Sequence, residues 1–275
     1  VSVTTSDTLI VDSLADDVDS SDGEYTLREA ILEANAVARE QRIIFDSALD
    51  FTTMRVITLT GGQMEISDSL SIEGPGDDKL TISGADTSRI LYADTSSDPS
   101  NPVVDIAVSG MKLTAGDDAE GGAVKFIDLN TATFSDMSFI DNHSTTHGGA
   151  VYVEDTPSII VDGVTADLNE ADQYGGFAMF KNTVSIMVSN STFTNNSGDY
   201  AGAFFAQTAD AMQIVDSTFT DNTSDHYGGA VYAYENSVIN VHSSLFTGNT
   251  AELGGAIGVI LGSSVSLSGS TLANN

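Results

Sequence analysis

From residue 121 onward, apolar and polar positions alternate in short runs, and the runs return at a fixed interval. Val124, Val151, Phe204, Val231 and Ile257 share one column of the repeat, with Phe126, Val153 and Phe180 two residues further on. A second set holds Ile159, Ile186, Met212, Ile239 and Val265, followed by Val161, Val188, Ile214, Val241 and Leu267. Such alternation predicts short strands with one buried face. Between the runs stand glycine pairs, or a near match, beginning at Gly121, Gly148, Gly175, Ala201, Gly228 and Gly254, so successive spacings are 27, 27, 26, 27 and 26 residues. Counting 21 on from each start reaches Asn142, Asn169, Asn196, Asn222, Asn249 and Asn275, and counting 18 reaches Phe139, Ala166, Phe193, Phe219, Phe246 and Leu272. All variation in length falls between an asparagine and the next glycine.

A fixed period of this size calls for a repeat architecture. It is too short for a strand–helix–strand unit, which needs about 30 residues or more. It fits one coil of three short strands and three bends. The fold expected is all-β: a right-handed parallel β-helix, a solenoid of 26–27 residues per coil, with an N-terminal capping helix. Right-handedness is the hand the crossover rule favours. Coils stacked about 4.8 Å apart bring like residues into continuous ladders. Glycine supplies a positive-φ corner, the phenylalanines a core column, and the asparagines an amide ladder inside a bend. Earlier segments read as less regular coils: VITLTGGQMEI (56–66), SLSIEGPG (69–76), LTISG (80–84) and VVDIAVSGMKL (103–113), with DTSSDPSNP (94–102) as an exposed loop.

The open end of a solenoid needs a cover. In TLREAILEANAVARE (26–40), Thr26 and Glu29 form a capping-box pattern, and Leu27, Ala30, Ile31, Ala34, Val37 and Ala38 form an apolar stripe. The chain therefore divides into an N-terminal cap over 1–42 (strand, acidic turn, amphipathic helix) and a β-helix over 43–275, irregular to about 120 and regular from 121. No second cap is readable after the last repeat, so the chain reads as a piece of a longer protein.

Charge narrows the partners. Forty acidic residues against 9 basic give a formal net charge of −31, which disfavours nucleic acid and direct membrane insertion. With no cysteine, thiolate metal sites and disulfides are excluded.

The stretch TLREAILEANA after DDVDSSDG resembles the LREA-type N-terminal motif of large bacterial surface β-helix proteins. RIIFD, VITLTGGQMEI and SLSIEGPGDDKLTISG look like the early coils that follow it there. The GGA(V/I) and FxxN repeats are similar to those of chlamydial polymorphic membrane proteins, which are autotransported adhesins. Tyr25 stands where relatives often carry a cysteine. The resemblance likewise implies a right-handed coil, in an exported protein, extracellular or attached to a bacterial cell surface, and adhesive. It implies no catalytic residues.

Parallel β-helices also carry lyases and hydrolases that act on polysaccharides. Lyase chemistry wants cations at the substrate, yet no arginine follows Arg89 and no lysine follows Lys181. Hydrolase chemistry wants paired carboxylates. Asp128 and Asp155, 27 residues apart, provide one such pair, but Asn182 and Thr208 continue the column. His143, His147, His226 and His242 are scattered. Asp17, Asp19 and Asp22 partly copy a calcium loop, with the glycine displaced to position 23. A solvated acidic turn is the preferred reading, and Ca²⁺ is the one candidate cofactor.

Outward columns hold the remaining signal. Tyr174, Tyr200 and Tyr227 precede the glycine corner, with His147 in the same column; Tyr152, Met179, Phe205 and Tyr232 alternate with inward positions, and Tyr234 follows. Together they predict an exposed aromatic stripe several coils long, which either stiffens the coil by stacking or marks a contact surface. The first reading is a non-catalytic surface module, adhesive or structural, whose stripe binds a glycan or a host or neighbouring cell-surface protein. The alternatives are a polysaccharide-active enzyme centred on Asp128 and Asp155, and a self-associating layer or filament subunit.

Overall fold

The computed structural model describes residues 7–19, 21–37, 39–97 and 103–275. Every strand pairing among them is parallel, within sheets of 16, nine and five strands. The chain winds as a β-solenoid in which each coil lays one strand on the same strand of the next. Val124 pairs with Val151, Val151 with Ala178, Ala178 with Phe204, and Phe204 with Val231, so the repeat columns are also the registers. Early segments join the same sheets: Arg55–Thr58 pairs with Leu80–Ser83, and Leu70–Glu73 with Asp105–Ser109. Of the stretch 94–102, Asp94 ends a strand and Thr95 is buried, while 98–102 lie outside the described residues.

Each regular coil turns at four left-handed corners rather than at the glycine corner alone, and in the last two coils one corner holds two such residues, Glu235 with Asn236 and Leu261 with Gly262. In the coil that opens at Gly175 these are Gly175 (φ 70°), Asn182 (φ 54°), Asn190 (φ 50°) and Asn195 (φ 52°). Asparagine and aspartate tolerate this region better than other side chains, which explains why the columns at the other three corners are rich in them. The two glycines of a pair have different jobs. The first takes positive φ, and Ala201 does the same at φ 68°. The second admits no side chain, since a Cβ on Gly149 would lie 2.0 Å from the carbonyl oxygen of Gly176 in the next coil.

The asparagine ladder is continuous and buried. Asn142 Nδ2 donates to Asn169 Oδ1 (2.9 Å), Asn169 to Asn196 (2.8 Å), Asn196 to Asn222 (2.9 Å) and Asn222 to Asn249 (2.9 Å). Each Nδ2 also reaches a backbone carbonyl in the coil before, and each Oδ1 from Asn169 onward accepts the preceding asparagine's N–H, as in Asn169 N to Asn196 Oδ1, while Asn142 Oδ1 accepts from the Gly116 N–H. No amide atom is left unpaired, which is what makes the burial tolerable. A shorter serine ladder runs beside it: Val164, Ser191 and Ser217 donate their N–H groups to the hydroxyls of Ser191, Ser217 and Ser244.

Inside, the phenylalanine column stacks, with Phe193–Phe219 at 4.8 Å and Phe219–Phe246 at 4.5 Å between centroids. Ala166 interrupts it. The volume returns from Phe177, which stands where other coils place alanine and whose ring lies 5.4 Å from Phe139 and 5.3 Å from Phe193.

The helix spans Leu27–Asn35 and buries Leu27, Ala30, Ile31 and Ala34. Its capping box is formed, with Glu29 N–H donating to Thr26 Oγ1 and Thr26 N–H to the Glu29 carboxylate. Val37 falls beyond the helix end, and Ala38 lies outside the described residues. Arg28 ties the helix to the coils, contacting Asp16 at 2.7 Å and the carbonyls of Gly62 (2.6 Å) and Gln63 (3.1 Å). Burial alone would raise the Asp16 carboxyl, but hydrogen bonds from Arg28, Gly61 and Thr60 outweigh it and hold it below the usual value.

The exchange of volume between positions 166 and 177 is testable by a double-mutant cycle. Phe177→Ala should cost about 4 kcal/mol through the cavity it leaves, and Ala166→Phe about 2 kcal/mol through overpacking. The double variant restores the pattern of the other coils and should unfold within about 1 kcal/mol of wild type in urea. Additive losses would contradict the exchange.

Candidate functional site

Three outward columns form a groove along the solenoid axis. The floor is Tyr152, Met179, Phe205 and Tyr232, paired coil to coil in register. Strand alternation turns these side chains away from the core, because their neighbours Val151 and Val153, or Ala178 and Phe180, face inward. One wall is Glu120, His147, Tyr174 and Tyr200, again in register, and Tyr227 continues it. The other is Glu154, Lys181, Gln207 and Tyr234, with Ile260 at the C-terminal end. The groove encloses about 540 Å³.

The expected exposed stripe needs one correction. Tyr152, Met179, Phe205 and Tyr232 point outward but are only 3, 4, 3 and 2 % exposed. Aromatic side chains of the wall pack over them and make a second apolar cluster outside the solenoid core. The floor is therefore recessed.

The wall rings lie face to face along the axis. Centroid distances are 5.3 Å for His147–Tyr174, 5.1 Å for Tyr174–Tyr200 and 5.9 Å for Tyr200–Tyr227, with interplanar angles of 29°, 25° and 18°. Stacking of this kind contributes about 0.5–1.5 kcal/mol per pair beyond area burial. It also occupies the ring faces and leaves the hydroxyl edges free. The hydroxyls of Tyr174, Tyr200, Tyr227, Tyr232 and Tyr234 have no protein hydrogen-bond partner among the described residues, whereas Tyr152 Oη donates to Glu154 (2.7 Å). Burial first, then the neighbouring tyrosines, pushes Tyr232 up to about 12. Burial, and then the bond to Glu154, raises Tyr152 as well. Both phenols are protonated donors at neutral pH.

Among the lining residues, charge lies at the N-terminal end. Lys125 Nζ contacts Glu120 Oε2 at 2.7 Å and stands 5.8 Å from the Tyr152 ring centroid. His147 Nδ1 meets Glu120 Oε1 at 3.1 Å, and Lys181 pairs with Glu154. Burial works to raise both glutamates, yet hydrogen bonds from Lys125 and His147 lower Glu120, and those from Lys181 and Tyr152 lower Glu154. Both carboxylates are held below their ordinary value.

The structure brings together the aromatic residues named from the sequence and leaves the acidic candidates elsewhere. Asp128 and Asp155 are neighbours on successive coils, where the Asp128 N–H donates to the Glu154 carbonyl (3.0 Å). Both occupy an exposed left-handed corner outside the groove, at φ 59° and 51°, and Asp155 accepts from Asn182 Nδ2 (2.9 Å). Aspartate suits this corner conformation, which Thr208 and Glu235 adopt in later coils. Asp19 accepts from the N–H and hydroxyl of Ser21, Asp22 accepts from the Glu24 N–H, and Asp17 is exposed. Among the described residues no three His, Asp or Glu side chains are grouped to hold a metal ion.

Glu120, Glu154, Lys181, Gln207 and Ile260 were missed by sequence reasoning. The signal was present: positions 154, 181, 207 and 234 keep the repeat spacing of 27, 26 and 27, so the wall that ends in Tyr234 can be followed backward.

On the adjoining sheet, His143 spans three coils, its Nδ1 at 3.2 Å from Asp117 and its Nε2 at 3.2 Å from Asp172. Burial works to lower its pKa, but the two carboxylates outweigh this and raise it. Its contribution to stability is therefore complete below the unfolded value of about 6.5 and is lost as pH rises through the higher folded value. NMR titration should place the His143 midpoint above that of an unfolded histidine, and His143→Gln should remove this part of the pH dependence of unfolding. A midpoint at or below the unfolded value would contradict the clamp.

Residues 116–275 match the sequence model of a family described as the right handed beta helix region. No curated protein matches the chain.

Proposed function

Because the chain belongs to the right-handed β-helix family, a fold that serves both surface proteins and enzymes, we propose that its function resides in the groove. The protein is a non-catalytic surface module that binds an elongated glycan along the solenoid axis. The observation that carries this reading is the row of groove-lining tyrosines, from Tyr174 to Tyr234, whose phenolic hydroxyls have no protein partners among the described residues. Hydroxyls that donate and accept, spaced by the coil repeat, suit a polyhydroxylated chain lying lengthwise. The recessed floor favours a slender ligand over a flat protein surface, and so favours a glycan over self-association.

Glu120 and Glu154 bear on the enzymatic alternative. A glycoside hydrolase needs one carboxyl protonated at its working pH. Here lysine contacts hold both carboxyls below their ordinary value, which supports binding without turnover. The resemblance of TLREAILEANA and the GGA/FxxN repeats to bacterial surface adhesins supports an exported, adhesive setting.

Removing hydroxyls without removing rings tests the reading. Serine at Tyr152, Phe205 or Tyr232 would hollow the floor, so Tyr174→Phe, Tyr200→Phe and Tyr227→Phe are the informative variants. Each lost hydrogen bond should weaken retention in glycan-containing gels about fivefold, while the urea midpoint stays at the wild-type value. Unchanged retention would make the tyrosine row purely structural. Release of reducing ends by the wild type, lost in Glu120→Gln, would overturn the non-catalytic reading.

A further inference from the structure

The charges at the N-terminal end of the groove bear on which glycans it takes, an inference that rests on the groove being a glycan site. Among its lining residues the formal charges are Glu120, Glu154 and Lys181, with His147 beside them. Lys125 reaches in over the Tyr152 ring. An acidic sugar would need a cation free to pair with its carboxylate. Neither lysine is free: Lys125 Nζ is held by Glu120 at 2.7 Å, and Lys181 Nζ by Glu154. The second oxygens of these carboxylates are engaged too, by His147 Nδ1 (3.1 Å) and by the Tyr152 hydroxyl (2.7 Å). A cationic sugar therefore finds no uncommitted glutamate either.

Apart from the His147 Nε2 and the remaining N–H donors of the ion-paired lysines, the groove's uncommitted hydrogen-bonding groups are neutral: five phenols and the Gln207 Oε1, whose Nε2 is given to Glu235. The chain's net charge of −31 adds long-range repulsion against polyanions. We infer that the groove selects uncharged glycans and rejects uronate-bearing ones, and that Glu120 and Glu154 are the specificity-determining residues because they neutralise Lys125 and Lys181.

The test is affinity electrophoresis of the 275-residue protein in gels containing mixed-linkage β-glucan, galactomannan, polygalacturonate or alginate, at low and high salt. The wild type should be retarded by a neutral polymer, equally at both salt levels, and not by the uronates. Glu120→Gln with Glu154→Gln frees the lysines and should strengthen retardation by uronates on the order of tenfold at low salt, an effect erased at high salt. The two single variants, each expected to gain part of the effect, serve if the double variant fails to fold. Uronate retardation of the wild type that matches the neutral polymers and falls in the Tyr→Phe variants would overturn the selectivity and leave the glycan groove standing. No gain in any glutamine variant would overturn the role of the glutamates. No retardation by any polymer would overturn the groove reading, and this inference with it.

Discussion

The backbone of one coil meets the backbone of the next at the second glycine of each pair, too close for any side chain. A Cβ on Gly176 would lie 2.2 Å from the Gly202 carbonyl oxygen, and one on Gly202 would lie 2.1 Å from that of Gly229. Parallel strand pairing sets the axial spacing of successive coils, and the second glycine admits the close approach that this pairing demands. With the register set, the distance from glycine to asparagine cannot drift, because a slipped coil would break the amide ladder and turn every alternating side chain to the wrong face. Length variation is confined to the segment after the asparagine for the same reason.

An outward column inherits that register without being needed for it. Phenylalanine and asparagine recur in the inner columns because volume and amide pairing demand them, while the outer columns are free to differ from coil to coil. The groove is made from this freedom. Its walls pass from Glu120 and His147 to three tyrosines, and from Glu154 and Lys181 to Gln207 and Tyr234. An ion-paired end grades into a phenolic one over a few coils. The stacked rings stiffen the wall, and their hydroxyls carry no protein hydrogen bond among the described residues, so stiffening does not use up their polar groups.

The sequence made the repeating elements legible because identical offsets translate directly into stacked registers. The coil length, the strand alternation, the asparagine ladder, the helix cap and the aromatic columns could all be read from it. Burial of the floor could not. Alternation tells which face of a strand Tyr152 or Phe205 occupies, but not whether rings from the adjoining sheet fold over it. The Phe177/Ala166 exchange was equally hidden, since each departure looks like a defect until space is shared between them. Serines 191, 217 and 244 form a ladder that begins only after Met137 and Val164 have held the same column. The acidic pair read from spacing, Asp128 and Asp155, stands at a left-handed corner that favours aspartate or asparagine but also accepts Thr208 and Glu235. The groove's own glutamates stood unremarked beside them.

The central claim is that the tyrosine hydroxyls of the groove contact an uncharged glycan. The most direct measurement is NMR of ring-labelled tyrosine during titration with neutral oligosaccharides. The account predicts that the signals of Tyr174, Tyr200, Tyr227 and Tyr234 shift together and saturate, while those of Tyr25 and Tyr92, outside the groove, stay in place. Shifts confined to Tyr25 or Tyr92, or no saturable shift in the groove tyrosines with any neutral oligosaccharide, would contradict it.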